Sequence, residues 1–310
     1  AAALFLWVAD SERSEAWGVW KWFGVGATLV AAAIGARYAD PAARPGSSAL
    51  VQSRSFFGVL TVWERGVGDP NLHRRVLQHG STRHGMQYQS PELRDRPTTY
   101  YDEESGLGRA IRNLGDAPRR VGVIGLGVGT IASYGRRGDT IRFYEIDAEV
   151  ERIARRQFDY LDRSAAEVEV VIGDGRLSLE REPDQRFDLL ALDAFSSDAI
   201  PVHLLTREAF EIYLRHVVPD GWIAVHVSNR VIDLRPVIRR VAESLDLVAA
   251  TIFRRSDVER GVLASTWVLV RRATNRRDDS EIRAAAEANE PPANTTLWTD
   301  ERVNLLEILK

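Results

Sequence analysis

The stretch VGVIGLGVGT at residues 121–130 is an apolar run that ends in three glycines, Gly125, Gly127 and Gly129. Glycine lets the chain turn tightly and approach a ligand closely, and a helix that follows such a turn offers free N–H groups. We interpret the stretch as a strand and a ligand-binding turn, and we expect IASYGRRG at 131–138 to form the next helix. The GxGxG spacing favours an S-adenosyl nucleoside over a dinucleotide, although a tight turn without a ligand could carry the same glycines.

Short apolar runs alternate with helical stretches beyond this turn, namely TIRFYEID, VEVVIGDG, FDLLALDAF and WIAVHVSN. Such alternation predicts a parallel sheet covered by helices on both faces. DLVAATIF and STWVLVRR near the C-terminus predict two strands at an antiparallel edge of that sheet. Before Pro97, alternating runs such as FFGVLTVWER predict a small antiparallel sheet. The predicted fold is therefore α/β, a Rossmann-like fold with a small N-terminal antiparallel β domain.

The composition is that of a folded globular chain. Of its 310 residues 45% are hydrophobic and 27% are charged, which excludes disorder and fibres. The 41 Lys and Arg against 44 Asp and Glu give a net charge of −3, so no overall basic field exists to gather nucleic acid. No cysteine is present, which excludes disulfides, thiolate catalysis and cysteine-based zinc sites.

The N-terminal segment is strongly apolar. Residues 17–36 contain a single charge, Lys21, and twenty such residues would just cross a hydrocarbon core. Tryptophans stand at one end and arginines beyond the other, as at membrane interfaces. We predict transmembrane helix within residues 1–39, contact with membrane lipid, and a location at the cytoplasmic face of the bacterial inner membrane. The alternative is an Ala- and Gly-rich helix packed on a soluble core. Residues 40–96 are then a linker and the small β-sheet domain, and residues 97–310 the Rossmann-like nucleoside-binding domain.

Acidic residues follow three further predicted strands. The carboxyl ends of the strands are where a doubly wound sheet binds its ligand. Glu145 lies twenty residues after Gly125, where an acid can accept both ribose hydroxyls. Asp174 can read the exocyclic amine of adenine, although an Asp-Gly turn would look the same. Asp193 can hold an attacking ammonium or take its proton; the alternative is a helix cap.

The order of VGVIGLGVGT, FYEID, VVIGDGR and LDAFSSDAIPVHLLTREAF resembles the spermidine synthase (polyamine aminopropyltransferase) family over roughly residues 50–305. HGSTRHGMQ and PTTYYDEESGLGRAI resemble a bacterial branch fused behind transmembrane helices. The resemblance implies transfer of an aminopropyl group from decarboxylated S-adenosylmethionine to an amine, with release of methylthioadenosine and without a metal. It thus implies a small-molecule amine as partner and leaves a homodimer open.

The resemblance also assigns roles to individual residues. It implies that Gly125, Gly127 and Gly129 cradle the nucleoside, that Glu145 holds the ribose and that Asp174 faces the adenine. Asp193 would orient and deprotonate the amine, with Asp198 as a second aspartate. Tyr101 would close over the amine, and Tyr100 is its near competitor. The chemistry is coherent because an amine is protonated near pH 7 and needs a carboxylate to accept a proton.

The sequence departs from the family at the mouth of the site. Val128 stands where family members carry an aspartate in the glycine turn, so one anchor for the amine end is missing. His84 and Gln87 are placed to line the same mouth, with a turn or core role as the alternative. We interpret His226, inside an apolar strand, as structural. A methyltransferase on the same fold and a non-catalytic scaffold subunit of a membrane complex are the alternative functions.

Overall fold

The computed structural model describes residues 25–28, 47–80, 82–194, 201–274, 277–288 and 293–310. The chain divides into two compact units, residues 1–48 and 49–310. Residues 25–28 of the first unit form an exposed helical turn, and the rest of the predicted membrane segment 17–36 lies outside the described residues. None of the described helices is both long enough and apolar enough to cross a membrane. On this finding the predicted location at the inner-membrane face is wrong.

A seven-stranded sheet forms the centre of the second unit. Its strands are β5 (Arg120–Ile124), β6 (Thr140–Glu145), β7 (Glu167–Ile172), β8 (Phe187–Leu192), β9 (Val217–His226), β10 (Leu247–Arg254) and β11 (Ser265–Arg272), in the spatial order β10-β11-β9-β8-β5-β6-β7. Strands β5 to β9 pair in parallel. Strands β10 and β11 form the antiparallel edge that the sequence predicts. The Rossmann-like fold is confirmed.

Helices cover both faces of this sheet. They are α1 (Gly106–Asn113), α2 (Ala148–Gln157), α3 (Tyr160–Arg163), α4 (Gly175–Arg181), α5 (Arg207–His216), α6 (Arg235–Ser244) and α7 (Ser280–Ala285). The alternation along β8 shows the two faces, because Leu189 packs with Leu107 of α1 on one side and Leu190 packs with Phe210 of α5 on the other. A strand buried on both faces is therefore apolar throughout, as the sequence pattern predicts.

A four-stranded antiparallel sheet precedes the large sheet. Its strands are β1 (Ser47–Ser55), β2 (Gly58–Arg65), β3 (Arg74–His79) and β4 (Thr82–Tyr88), paired in chain order. Its buried side chains Leu60, Val62 and Leu77 pack with Val128 and Ile153. The small sheet therefore rests on the glycine turn, which it covers from one side.

The helix expected directly after the glycine turn is instead a short 3₁₀ turn, Thr130–Tyr134. Gly129 adopts a left-handed conformation before it, and the chain returns to an extended conformation at Gly135. A Cβ atom on Gly135 would lie 2.5 Å from the Ser164 hydroxyl oxygen and 2.6 Å from Ala166 Cβ. The segment ends there because this close approach to the loop before β7 fixes the direction of the chain.

Candidate functional site

The glycine turn lies close to the end of β8 and to the backbone of β4. Gly125, Gly127 and Gly129 have φ of +101°, +56° and +80°, a region that favours glycine. A Cβ atom on Gly125 would lie 2.3 Å from the backbone oxygen of Asp193, and one on Gly127 would lie 2.5 Å from that of His84. The turn therefore presents bare backbone at the carboxyl ends of β5 and β8, beside β4.

Glu145 at the end of β6 is tied to the glycine turn. Its Oε2 accepts a hydrogen bond from the Leu126 N–H at 3.0 Å, and its Oε1 accepts one from the Asp147 N–H at 2.9 Å. Burial raises the pKa of Glu145, and the backbone N–H groups act against that rise. Each carboxylate oxygen can accept a second hydrogen bond, so the capacity needed to hold a ribose remains.

Asp174 lies at the start of α4 and combines a cap with a second contact. Its Oδ1 accepts a hydrogen bond from the Leu177 N–H at 2.9 Å. Its Oδ2 lies 2.8 Å from Nε2 of His203, in the short 3₁₀ turn Val202–Leu204. The hydrogen bond to His203 is the main cause that lowers the pKa of Asp174. Asp174 therefore caps α4 through Oδ1, and its other oxygen, Oδ2, contacts His203.

Asp193 follows β8, and both of its carboxylate oxygens are engaged. The Tyr101 hydroxyl donates a hydrogen bond to Oδ2, and Nδ1 of His226 lies 2.6 Å from Oδ1. Burial raises the pKa of Tyr101 well above its usual value, and the charge of Asp193 raises it further, so Tyr101 stays a protonated donor. Three residues distant in sequence thus form one cluster, which we call the Tyr101–Asp193–His226 cluster.

His226 ends β9 next to β8 and is a functional candidate that the sequence interpretation missed. Its ring stacks on Trp267, with centroids 4.7 Å apart, and lies 4.9 Å from the ring of Tyr100. The strand-end rule that selected Glu145 and Asp193 would also have selected His226, since polar residues follow the apolar run of β9. The sequence alone indicates a structural residue, because the histidine looks like part of that apolar run.

Sequence comparisons identify polyamine aminopropyltransferases that are similar to part of this chain. No known protein-family profile matches the chain. It is 35% identical over 96 residues to a polyamine aminopropyltransferase of Vibrio vulnificus, which covers 29% of this chain and 31% of that protein. It is 27% identical over 163 residues to a probable polyamine aminopropyl transferase of Bifidobacterium longum, which covers 51% of this chain and 34% of that protein. The chain thus matches about a third of the length of these curated relatives.

Solved structures agree on the fold. Spermidine synthase from Thermotoga maritima superposes with a TM-score of 0.52 at 13% identity, over 82% of this chain and 81% of that one. A probable spermidine synthase from Corynebacterium glutamicum superposes with a TM-score of 0.56 at 15% identity, over 82% of this chain and all of that one. The chain therefore has the fold of these spermidine synthases and is similar in sequence to polyamine aminopropyltransferases over part of its length. These relatives do not show the membrane-fused branch of that family.

Val128 stands in the glycine turn where the resemblance to spermidine synthases leads one to expect an aspartate, and its side chain is buried in the apolar cluster under the small sheet. Opposite it stands Gly85 of β4, where a Cβ atom would lie 2.4 Å from Val128 Cγ2. The place of the family's aspartate is therefore an apolar contact between the turn and β4, and Gly85 leaves room for it.

The remaining predicted residues in the described part of the chain are Tyr100, His84 and Gln87, and they differ in their contacts. Tyr100 donates a hydrogen bond to the Arg83 carbonyl oxygen at 3.3 Å and faces His226. Nε2 of His84 is buried without a hydrogen-bond partner in the described part of the chain, and burial is the main cause that lowers the pKa of His84 to about 4. Gln87 uses its amide on the backbones of Arg94 and Asp159, so its predicted contact with the amine would require a change of partners.

One predicted site residue has no structural description, because Asp198 lies in the segment 195–200, outside the described residues. Within the described ranges no group of three or more His, Asp or Glu side chains could hold a metal ion.

Proposed function

We propose that the chain transfers an aminopropyl group from decarboxylated S-adenosylmethionine to a polyamine or related amine. The observation that carries this proposal is Asp193, a carboxylate held by Tyr101 and His226 directly beside the bare backbone of Gly125. A nucleoside on the glycine turn and an amine on Asp193 would therefore be neighbours. The names of the curated relatives, polyamine aminopropyltransferases, agree with this activity.

The nucleoside end of the site is formed by three strand ends. The absence of side chains at Gly125 and Gly127 lets the turn pack directly against the backbones of Asp193 and His84. Glu145 would accept the ribose hydroxyls on its remaining lone pairs, and Asp174 would face the adenine. When bound, decarboxylated S-adenosylmethionine would supply an electrophilic carbon next to a sulfonium, which leaves without acid assistance.

At the amine end of the site, Asp193 would act as the base. An ammonium must lose one proton before its nitrogen can attack, and Asp193 would accept that proton. The nitrogen lone pair forms the new C–N bond while the C–S bond breaks and its electron pair stays on sulfur, which becomes the neutral thioether of methylthioadenosine. One proton is released per transfer, so charge and atoms balance. Tyr101 would remain protonated and keep Asp193 oriented by its hydrogen bond.

Further residues near Asp193 would contact the amine. Tyr100 and His84 would line its entry, and the charge of Asp193 acts on both. Asp198 and Gln87 stay predictions as contacts of the amine. A homodimer also stays a prediction.

Calorimetry and a product assay test this proposal. Decarboxylated S-adenosylmethionine, S-adenosylmethionine and methylthioadenosine would be titrated into the wild type, Asp193→Asn and the control Asp116→Asn, an exposed aspartate paired with Arg136. We expect binding of the decarboxylated form, turnover with a diamine, and a loss of about 10²- to 10⁴-fold in Asp193→Asn alone, the usual range for general base catalysis.

Each other result points elsewhere. Preference for S-adenosylmethionine, with methyl transfer, would replace the proposal by a methyltransferase. Absence of binding for all three nucleosides would refute both enzymatic functions and favour a scaffold. Equal turnover in wild type and Asp193→Asn would remove Asp193 from its role.

A further inference from the structure

A chain of hydrogen bonds extends behind Asp193, away from the glycine turn. His226 Nδ1 lies 2.6 Å from Asp193 Oδ1, and His226 Nε2 lies 2.8 Å from the Ser228 hydroxyl oxygen. That oxygen also accepts a hydrogen bond from the Thr266 N–H of β11 at 2.8 Å. The carboxylate is thus connected through one imidazole to the backbone of the neighbouring strand.

The Ser228 hydroxyl lets the imidazole keep both contacts in either protonation state. A hydroxyl has one donor and two acceptor sites, and the Thr266 N–H uses one acceptor site. The hydroxyl can therefore donate to an unprotonated Nε2 or accept from a protonated one. In the first arrangement the neutral ring carries its proton on Nδ1, which makes His226 a donor to Asp193.

The ring has little freedom to leave this position. Trp267 stacks on it with an interplanar angle of 20°, Tyr100 lies against it, and the side chain of His226 is 4% exposed. Thr266 and Trp267 on β11 carry no charge, and the carboxylate of Asp193, which follows β8, faces the ring.

Several other titratable groups surround this carboxylate. They are Tyr100 and Tyr101 from the loop before α1 and His84 from β4, with Arg83 and Arg230 acting on Tyr100. Burial keeps the two tyrosines protonated and His84 neutral near pH 7. Tyr101 does not compete with His226 for Oδ1 of Asp193, because its hydroxyl is bound to Oδ2.

We propose that His226 is a positioning residue for the amine site: it fixes the Asp193 carboxylate in one orientation. This inference rests on the proposed function. With Tyr101 donating to Oδ2 and His226 donating to Oδ1, the carboxylate has a donor on each oxygen, and two charge-assisted hydrogen bonds hold it in place. A second lone pair on each oxygen remains available to an incoming ammonium.

The test compares His226→Leu, which removes the donor, with His226→Gln, which keeps an N–H at similar reach. His216→Leu is the matched control, because His216 is also a buried histidine. It stands just before β9, ten residues from His226, so the two lie about 30 Å apart along the strand. Its Nδ1 accepts a hydrogen bond from the Gln185 N–H at 3.2 Å, far from Asp193 in the sheet. Thermal unfolding of all three variants identifies any that fails to fold.

In steady-state kinetics we expect His226→Leu to lower kcat about 10- to 150-fold, the range for a hydrogen bond to a charged group, with little change in the KM for the nucleoside. His226→Gln should recover most of the rate, and His216→Leu should keep the wild-type kcat. A fall in kcat with no recovery in His226→Gln would overturn the inference and indicate a packing role.

A readout independent of turnover separates this inference from the proposed function. In the wild type, proton NMR with ¹⁵N-labelled histidine should show an exchange-protected Nδ1–H resonance of His226 far downfield, which is lost in Asp193→Asn and kept in Asp116→Asn. If no amine is turned over by the wild type, the proposed function fails while this resonance still decides whether His226 donates to Asp193. Its absence from the wild type, or its persistence in Asp193→Asn, would overturn the pairing.

Discussion

Gly125→Ala tests whether the turn needs glycine at this position because the ends of β5 and β8 approach each other closely there. The residue has φ of +101°, and the new Cβ would lie 2.3 Å from the Asp193 backbone oxygen and 2.8 Å from its carbonyl carbon. Left-handed conformations cost an alanine about 1–2 kcal/mol, and overpacking against backbone costs about 1–3 kcal/mol more. We therefore expect the free energy of unfolding to fall by about 2–5 kcal/mol.

Gly68→Ala is a matched control, because Gly68 has almost the same φ, +100°, but a Cβ there would meet no atom within 4 Å. It should cost only the conformational strain, about 1–2 kcal/mol. Urea unfolding followed by circular dichroism measures both variants. Equal losses in the two variants would refute the close-approach reasoning.

The same substitution should affect chemistry more than stability. The clash displaces the backbone that carries Asp193, and a misplacement of about 1 Å at a reacting group can cost about 10²-fold in rate. A folded Gly125→Ala protein should therefore have much lower turnover, while Gly68→Ala keeps the wild-type rate. Wild-type turnover in Gly125→Ala would show that Asp193 is not held by this turn.

Three further predictions concern single contacts. Tyr101→Phe removes the donor to Oδ2 of Asp193 and should lower kcat about 10- to 150-fold with the fold intact, which kinetics and circular dichroism together would check. Val128→Asp places an unpaired carboxylate in an apolar cluster and should lower the free energy of unfolding more than Val128→Ala does, by several kcal/mol at neutral pH. His203→Ala removes the main cause that lowers the pKa of Asp174. A carboxylate with a lowered pKa adds stability that is present above its unfolded pKa near 4 and is lost as pH falls through the lower folded value. The variant should thus be less stable by under about 1 kcal/mol between pH 4 and 6, with the difference shrinking in more acidic urea titrations; a constant difference would contradict this.

Much of the fold could be predicted from the sequence because the central strands β5, β8 and β9 are largely buried and read as short apolar runs. The antiparallel edge of β10 and β11 was predicted from the two apolar runs near the C-terminus. The helix after the glycine turn could not be predicted, since Gly135 ends it through contacts with Ser164 and Ala166 that lie thirty residues further along the chain.

The candidate site was predicted in part. Gly125, Glu145 and Asp193 could be selected because parallel strands place their carboxyl ends at one edge of the sheet. The pairing of Asp193 with His226 could not be read from either residue, because it depends on β9 lying next to β8 in the sheet order. The pairing of His203 with Asp174 could not be predicted either, because the two residues meet at the start of α4 only in the folded chain.

The valine in the glycine turn links the small sheet to the chemistry of the site. Gly85 has φ of +152° and no side chain, so Val128 can fill the space between β4 and the turn. An aspartate at that position would face an apolar contact instead of an amine, and Gly85 with a side chain would exclude the valine. The two residues therefore act as a pair, and restoring the acid alone would cost stability without recreating an anchor. Under the proposed function, the orientation of the amine would then depend on Asp193 and the residues that hold it, which is why the contacts of His226 and Tyr101 matter most for testing this site.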